Sequence, residues 1–198
     1  MRLLRPAALA AAVLVLAGCN AEDVRPPGRS SIDVDTPALV KLKRQTDVAD
    51  CAPGTGTGAG LPDLTLPCLG GGPEVDLSTL RGPLVLNLWA SNCGPCRVEM
   101  PAIQEFHERY GDRVGVLGVD YQDPQPAAAL ELAERSGVTY PLVADPGGDL
   151  NANAPVPVIR GIPVFVFVTA DGEVSTVPGG IDSADELVEL AQQHGIAL

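Results

Sequence analysis

Cys93 and Cys96, separated by Gly-Pro, are the residues of this chain whose types and spacing point most directly to chemistry. They follow the apolar segment 84–90, a pattern that predicts a buried strand. If a helix begins at Cys93, its sulfur lies beside free backbone N–H groups at the positive end of the helix dipole, where a thiolate is favoured. The spacing therefore predicts thiol–disulfide exchange, with Cys93 as the attacking thiolate and Cys96 as the less exposed resolving thiol.

Two other uses of the same spacing are less favoured. A structural zinc site needs two further ligands, but Cys51 and Cys68 are too far apart to form a second Cys-x-x-Cys knuckle, and His107 and His194 stand alone. We therefore expect no metal. A purely structural disulfide across so short a loop would restrict the unfolded chain very little, so redox chemistry is the better interpretation.

The sequence around the two cysteines is similar to a known family. Residues 87–101, NLWASNCGPCRVEMP, resemble the active-site segment of the TlpA/ResA-like branch of the thioredoxin superfamily. Residues 77–82, LSTLRG, resemble its lead-in to the first central strand, and 161–168, GIPVFVFV, its cis-proline loop and next strand. The resemblance covers about residues 61–198. It implies an α/β thioredoxin-like fold: a central mixed β-sheet flanked by helices, with an N-terminal β-hairpin and an αβ insertion.

The same resemblance implies roles for residues near the dithiol. Pro163 is expected to be cis and to face the disulfide, while the Ile162 backbone pairs with an extended stretch of the partner polypeptide. Trp89 is expected beside the site. Asn92 stands where the family usually has tryptophan, which changes the surface on which partners dock. We therefore expect Ile162, Pro163, Trp89 and Asn92 to form the substrate-binding surface.

Glu99 lies one helical turn after Cys96, and a glutamate at this position tunes the cysteines and assists proton transfer in the resembled family. The alternative is an exposed acid in the first turns of a helix, which the helix dipole favours. Asn87 matches a position where cytosolic thioredoxins carry a buried aspartate, and its amide cannot take a proton. Any base must then be Glu99 or water.

The N-terminus predicts export. Arg2 and Arg5 precede the apolar segment 7–16, which is too short to span a bilayer and has the form of a signal sequence. The following Leu-Ala-Gly-Cys resembles a bacterial lipobox, which implies acylation of Cys19 and an anchor at the extracytoplasmic face of the cell membrane. The alternative is ordinary secretory cleavage with an incidental Cys19.

The remaining cysteines, Cys51 and Cys68, are expected to pair with each other once proximity has assigned Cys93–Cys96. We interpret this pair as a structural disulfide, contributing roughly 3 kcal/mol in the chain-entropy model. A second redox couple is the alternative. It is less favoured because nothing flanking these cysteines in the sequence indicates a helix N-terminus or a cationic neighbour.

Composition and turn residues divide the 198 residues into a signal peptide (1–18), a flexible linker (19–35), a short helix with a Gly-rich loop (36–60) and one domain (61–198), which the resemblance identifies as thioredoxin-like. The predicted strands are 64–68, 74–77, 84–90, 114–119, 141–144, 164–168 and 173–177, and the predicted helices are 37–47, 93–110, 126–135 and 185–194.

The net charge of the chain argues against one class of binding partner. With a formal charge of −12, the chain is unsuited to binding nucleic acid.

We expect an enzyme without a dissociable cofactor, acting on thiols or disulfides of exported proteins and exchanging electrons with a membrane redox partner. The resemblance to proteins that reduce apocytochrome c or other exported thiols, together with Gly-Pro between the cysteines, favours a reductase, for example in cytochrome c maturation. An oxidase of exported proteins is the alternative, and a metal-binding chaperone is less favoured because it would want Cys-x-x-x-Cys and a downstream histidine.

Overall fold

The computed structural model describes residues 30–56, 60–151 and 153–198. The predicted signal peptide and Cys19 lie outside these residues, as does most of the linker. Within the described ranges, no helix is both long and apolar enough to cross a membrane.

A five-stranded mixed sheet forms the centre of the domain, with strand order β5-β4-β3-β6-β7. Strands β3, β4 and β5 run parallel, whereas β6 pairs antiparallel with both β3 and β7. The predicted mixed sheet is thus confirmed. The strands are β3 Leu84–Trp89, β4 Gly115–Tyr121, β5 Leu142–Asp145, β6 Val164–Val168 and β7 Val174–Pro178.

The four α-helices of the described residues all contribute buried side chains to one core cluster on the same face of the sheet. They are α1 Pro37–Lys43, α2 Gly94–Tyr110, α3 Pro126–Arg135 and α4 Ala184–Gln193. Right-handed crossovers explain part of this arrangement, because β3, β4 and β5 follow each other in one direction and so bring α2 and α3 to the same side. The sheet is therefore flanked by helices as predicted, and these helices share one face of it.

In the part of the chain that the structure describes, no α-helix covers the opposite face of the sheet. The predicted N-terminal hairpin is present as β1 (Thr65–Leu66) and β2 (Val75–Asp76), and a short 3₁₀ turn follows it. The long connection between β5 and β6 completes the cover, burying Leu150 and Val156 in a second apolar cluster with the hairpin.

Helix α1 begins as predicted, with the Thr36 side chain capping the N–H of Leu39 and proline in its first turn. It ends at Lys43 rather than near residue 47. The Thr46 hydroxyl donates to the Lys43 carbonyl at 2.7 Å and accepts the N–H of Val48, so a side chain takes over the bond that the next turn would have made.

The Cys51–Cys68 disulfide is present, as predicted. Cys68 forms an antiparallel bridge with Val143 at the edge of β5, flanked by backbone hydrogen bonds from Leu69 to Leu142 and from Ala144 to Pro67. The disulfide therefore ties the segment after α1 to a covered sheet edge.

Candidate active site

The Cys93–Cys96 disulfide lies at the N-terminus of α2. Cys93 is the N-cap residue, and its sulfur accepts the backbone N–H of Cys96 at 3.2 Å. Cys93 is partly exposed, whereas Cys96 is fully buried. The N–H that reaches the Cys93 sulfur would also stabilise a thiolate there after reduction, and the helix dipole has the same sign.

The loop before β6 faces the disulfide. The Ile162–Pro163 peptide bond is cis, as the family resemblance implied, and Pro163 is buried. The Ile162 carbonyl oxygen lies 3.7 Å from the Cys93 sulfur. A disulfide sulfur has no proton to donate, so this is a contact between the reactive sulfur and a backbone group that an incoming polypeptide could share.

A groove of about 460 Å³ runs beside this loop between residues 157–163 and the end of β7. A smaller cavity of about 250 Å³ continues from it to exposed Asn92. Among the described residues, the exposed large hydrophobic side chains are Val158 in the groove and Val98, two positions after Cys96. The groove with Val158 therefore offers apolar surface beside the proline loop, as expected where another protein docks.

Glu99 is fully buried and is not the exposed helix acid of the alternative interpretation. Its Oε1 accepts the side-chain amide of buried Asn87 at 2.9 Å. Burial raises the Glu99 pKa to about 7, although the hydrogen bonds from Asn87 and from the Ile181 backbone act to lower it. This carboxyl group is therefore able to exchange a proton near neutral pH.

The Glu99 carboxyl group lies beneath the proline loop. A Cβ atom built on Gly180 would lie 3.1 Å from Glu99 Oε2 and 3.4 Å from Pro163 Cγ, so Glu99 and Pro163 border the same small space. The absence of a side chain at Gly180 keeps that space free. The carboxyl group, the loop and the N-terminal part of α2 therefore belong to one site.

Two buried acids near the site were not anticipated from the sequence. Asp123 accepts the backbone N–H of Ser91, in the turn just before Cys93, and that of Gln125 at 2.8 Å. Asp120 is also buried, and burial together with the neighbouring Asp123 carboxylate raises its pKa well above the usual range. Their place at the carboxyl end of a parallel strand was the available signal, because sites in such sheets gather there.

The expected partner contact by Trp89 is wrong. Its side chain is 0% exposed and belongs to the same core cluster as Cys96, so it supports the site from within. Both histidines have packing roles: His107 meets the edge of the Tyr140 ring, and His194 stacks on Phe167. Within the described ranges, no group of three or more histidine, cysteine or acidic residues is placed to hold a metal ion.

Comparison with known proteins agrees with this geometry. The thiol:disulfide interchange protein DsbE of Pseudomonas fluorescens is 32% identical over 141 residues, covering 69% of this chain and 75% of that protein. The thiol-disulfide oxidoreductase ResA of Geobacillus kaustophilus is 33% identical over 133 residues, covering 66% and 73%. The structure of a secreted Mycobacterium tuberculosis disulfide oxidoreductase homologous to E. coli DsbE matches with a TM-score of 0.57 and 25% identity, covering 66% and 96%.

The model of the AhpC/TSA family matches residues 57–177. This range contains the paired cysteines, the buried glutamate and the proline loop. The chain therefore belongs to the AhpC/TSA family, as a thiol–disulfide oxidoreductase of the DsbE and ResA type.

Proposed function

We propose that this chain is a lipid-anchored reductase of disulfides in exported proteins, acting at the extracytoplasmic face of a bacterial cell membrane, for example in cytochrome c maturation. The observation that carries the proposal is the asymmetric disulfide: Cys93 is partly exposed beside the Ile162 carbonyl, while Cys96 is buried behind it. One sulfur is placed to meet another protein and the other to resolve the product.

In the reducing direction, the Cys93 thiolate attacks a substrate disulfide, forming a mixed disulfide and releasing one substrate thiolate. Cys96 then loses its proton and attacks the Cys93 sulfur. This step closes the Cys93–Cys96 disulfide and releases the second substrate thiolate. The enzyme gives up two electrons and the Cys96 proton; the substrate gains the two electrons, and its two released thiolates take protons from water.

Glu99 supports the second step in this proposal. It follows Cys96 by one turn, is held by Asn87 and has a pKa of about 7, so its carboxylate is suited to accept the Cys96 proton. Asn87 itself cannot take that proton.

Two kinds of partner follow from the proposed cycle. The substrate is an exported protein whose disulfide reaches the apolar groove beside Ile162, with its backbone extended along the loop. The oxidised enzyme must then be reduced again, so we propose a membrane redox partner that supplies two electrons. The secreted Mycobacterium tuberculosis relative and the buried Cys51–Cys68 disulfide support placing these events outside the cytoplasm.

The direction of electron flow is tested by the redox state of Cys93 and Cys96 in cells, trapped by acid and alkylation. We expect both thiols to be reduced. The purified pair should have a potential nearer thioredoxin, about −270 mV, than the oxidant DsbA, about −120 mV. A pair that is oxidised in cells, with a potential near that of DsbA, would instead establish the alternative, an oxidase of exported proteins.

Lipid anchoring has a separate test in Cys19→Ser, because serine lacks the thiol that accepts the lipid. We expect the variant to lose incorporation of labelled fatty acid and to leave the membrane fraction. Ser30→Ala, which lies beyond the lipobox-like residues, is the matched control and should behave like the unaltered protein. Continued labelling and membrane association of Cys19→Ser would contradict the anchor.

A further inference from the structure

Lys43, the last residue of α1, brings a buried positive charge to the second disulfide. Its side chain is 6% exposed, and its ammonium nitrogen lies 3.2 Å from the Cys68 sulfur. The same nitrogen donates to the Gly71 carbonyl at 2.9 Å and lies 3.4 Å from an Asp50 carboxylate oxygen. No local sequence pattern indicates this cationic neighbour, because Lys43 is 25 residues away from Cys68.

The charge of Lys43 is incompletely balanced while Cys68 remains in a disulfide. The Asp50 side chain is 88% exposed, so water screens much of its attraction for the ammonium group. The Gly71 carbonyl satisfies one N–H, and a neutral disulfide sulfur is only a weak acceptor. A thiolate at Cys68 would supply the missing negative charge at hydrogen-bond distance.

The two sulfurs are held differently. Cys68 is fixed at the edge of β5 by its bridge to Val143 and by neighbouring backbone bonds. Cys51 lies in the irregular segment after α1. Among the described residues, one backbone hydrogen bond links residues 47–53 to the rest of the domain, from Ala49 to Thr139 at 3.1 Å. Both sulfurs are buried, and we expect local opening to expose Cys51 first because fewer backbone bonds hold its segment.

We propose that Cys51–Cys68 is a second redox-active disulfide, reduced by dithiols, in which Cys51 is the attacked sulfur and Cys68 leaves as a thiolate paired with Lys43. One thiolate of the dithiol attacks Cys51, the Cys51–Cys68 bond breaks, and its electron pair stays on Cys68. The second thiol of the dithiol, after losing its proton to water, displaces Cys51. The dithiol becomes a disulfide, and Cys51 takes a proton from water.

The space around the pair fits this assignment. A cavity of about 410 Å³ is lined by Lys43, Asp50 and the glycines at 70–72. A Cβ atom at Gly72 would lie 3.5 Å from the Cys68 sulfur and 3.7 Å from the Lys43 ammonium nitrogen. Since no side chain projects from that position, water and a released thiolate have room beside the ammonium group.

The proposal is tested on the full chain by equilibrating it in buffers of reduced and oxidised dithiothreitol. Differential alkylation and peptide mapping then report Cys51 and Cys68 separately from Cys93 and Cys96. We expect Lys43→Met to need about tenfold more reducing buffer to open Cys51–Cys68, the equivalent of one unit in thiol pKa. Lys41→Met, an exposed lysine of the same helix, is the matched control and should leave the midpoint unchanged. Equal midpoints in all three proteins would overturn the proposal.

A second measurement uses the unaltered protein, so it tests the pairing of the Cys68 thiolate with Lys43 even if Lys43→Met fails to fold. In the reduced chain, the alkylation rate of each thiol is followed against pH. We expect Cys68 to reach its half-maximal rate below the ordinary thiol value of about 8.5 and below Cys51, despite its burial. Arg44 and Asp50 line the same cavity, with opposite effects on a thiolate. A Cys68 that titrates at or above Cys51 would contradict a thiolate paired with Lys43.

Discussion

Cys96→Ser is expected to accumulate mixed disulfides with partner proteins, whereas Cys93→Ser is expected to lose exchange activity to background. The reason is the asymmetry of the site. Cys93 is the partly exposed sulfur that faces Ile162, and Cys96 is fully buried, so attack and resolution are separate steps by separate sulfurs. Non-reducing gels of cells expressing each variant, followed by mass spectrometry of the trapped bands, measure both effects.

The two variants serve as controls for each other, because each removes one thiol from the same pair. Serine retains the size of cysteine approximately, so a folding defect should be small and similar in both. If Cys93→Ser traps partners and Cys96→Ser does not, the assigned order of the two cysteines is wrong.

Glu99→Gln is expected to remove a large pH dependence of stability from the oxidised protein. The folded pKa of Glu99 is raised from 4.5 to about 7 by burial, so between these values the folded state holds a proton that the unfolded state has released. The free energy of unfolding should therefore fall as the pH rises from about 4.5 to about 7. The total loss is roughly 3 kcal/mol from this group, and glutamine, which does not titrate, abolishes it.

Denaturant unfolding of the oxidised protein at several pH values measures this effect as a difference between variant and unaltered protein. Buried Asp120 also titrates abnormally, but it is present in both proteins and so cancels from the difference. Glu105→Gln, an exposed acid of the same helix, is the matched control and should leave the profile in place. Parallel profiles for Glu99→Gln and the unaltered protein would show that Glu99 does not hold this proton.

The same variant also tests the proposed role of Glu99 in exchange. If its carboxylate accepts the Cys96 proton, Glu99→Gln should slow the release of substrate from the mixed disulfide more than it slows attack by Cys93. Thiol titrations of the reduced protein should differ as well. Unchanged titrations and rates would leave water as the proton acceptor.

The local sequence pattern predicted those helices and strands whose bounds are set by residues close together in the chain. Helix α3 has the predicted bounds, Pro126–Arg135, because proline favours its first turn and apolar residues repeat along one side. Strand β6 also matches, as a short run of valine and phenylalanine bounded by turn residues. The paired cysteines were recognisable from their spacing alone, whereas the proline loop required the family resemblance.

Features that depend on distant segments could not be predicted in this way. The sequence gives no reason to place Lys43 against Cys68, since the contact forms only when the end of α1 meets the segment that bridges β5. The resemblance placed Trp89 beside the site but does not show that both faces of β3 are covered, which buries the Trp89 side chain completely. The burial of Asp120 and Asp123 could not be predicted either, because neighbouring strands and helices create it.

The long connection between β5 and β6 has a consequence for engineering this enzyme. Leu150 and Val156 in this connection are buried in the second apolar cluster, and the same stretch ends in the Ile162–Pro163 loop that meets the reactive sulfur. If a docking loop makes no contact with the core, substrate recognition can be changed by replacing that loop with one from another protein. Here a graft would also have to supply two apolar anchors, so a change of substrate preference and a change of thermal tolerance are expected to arise together.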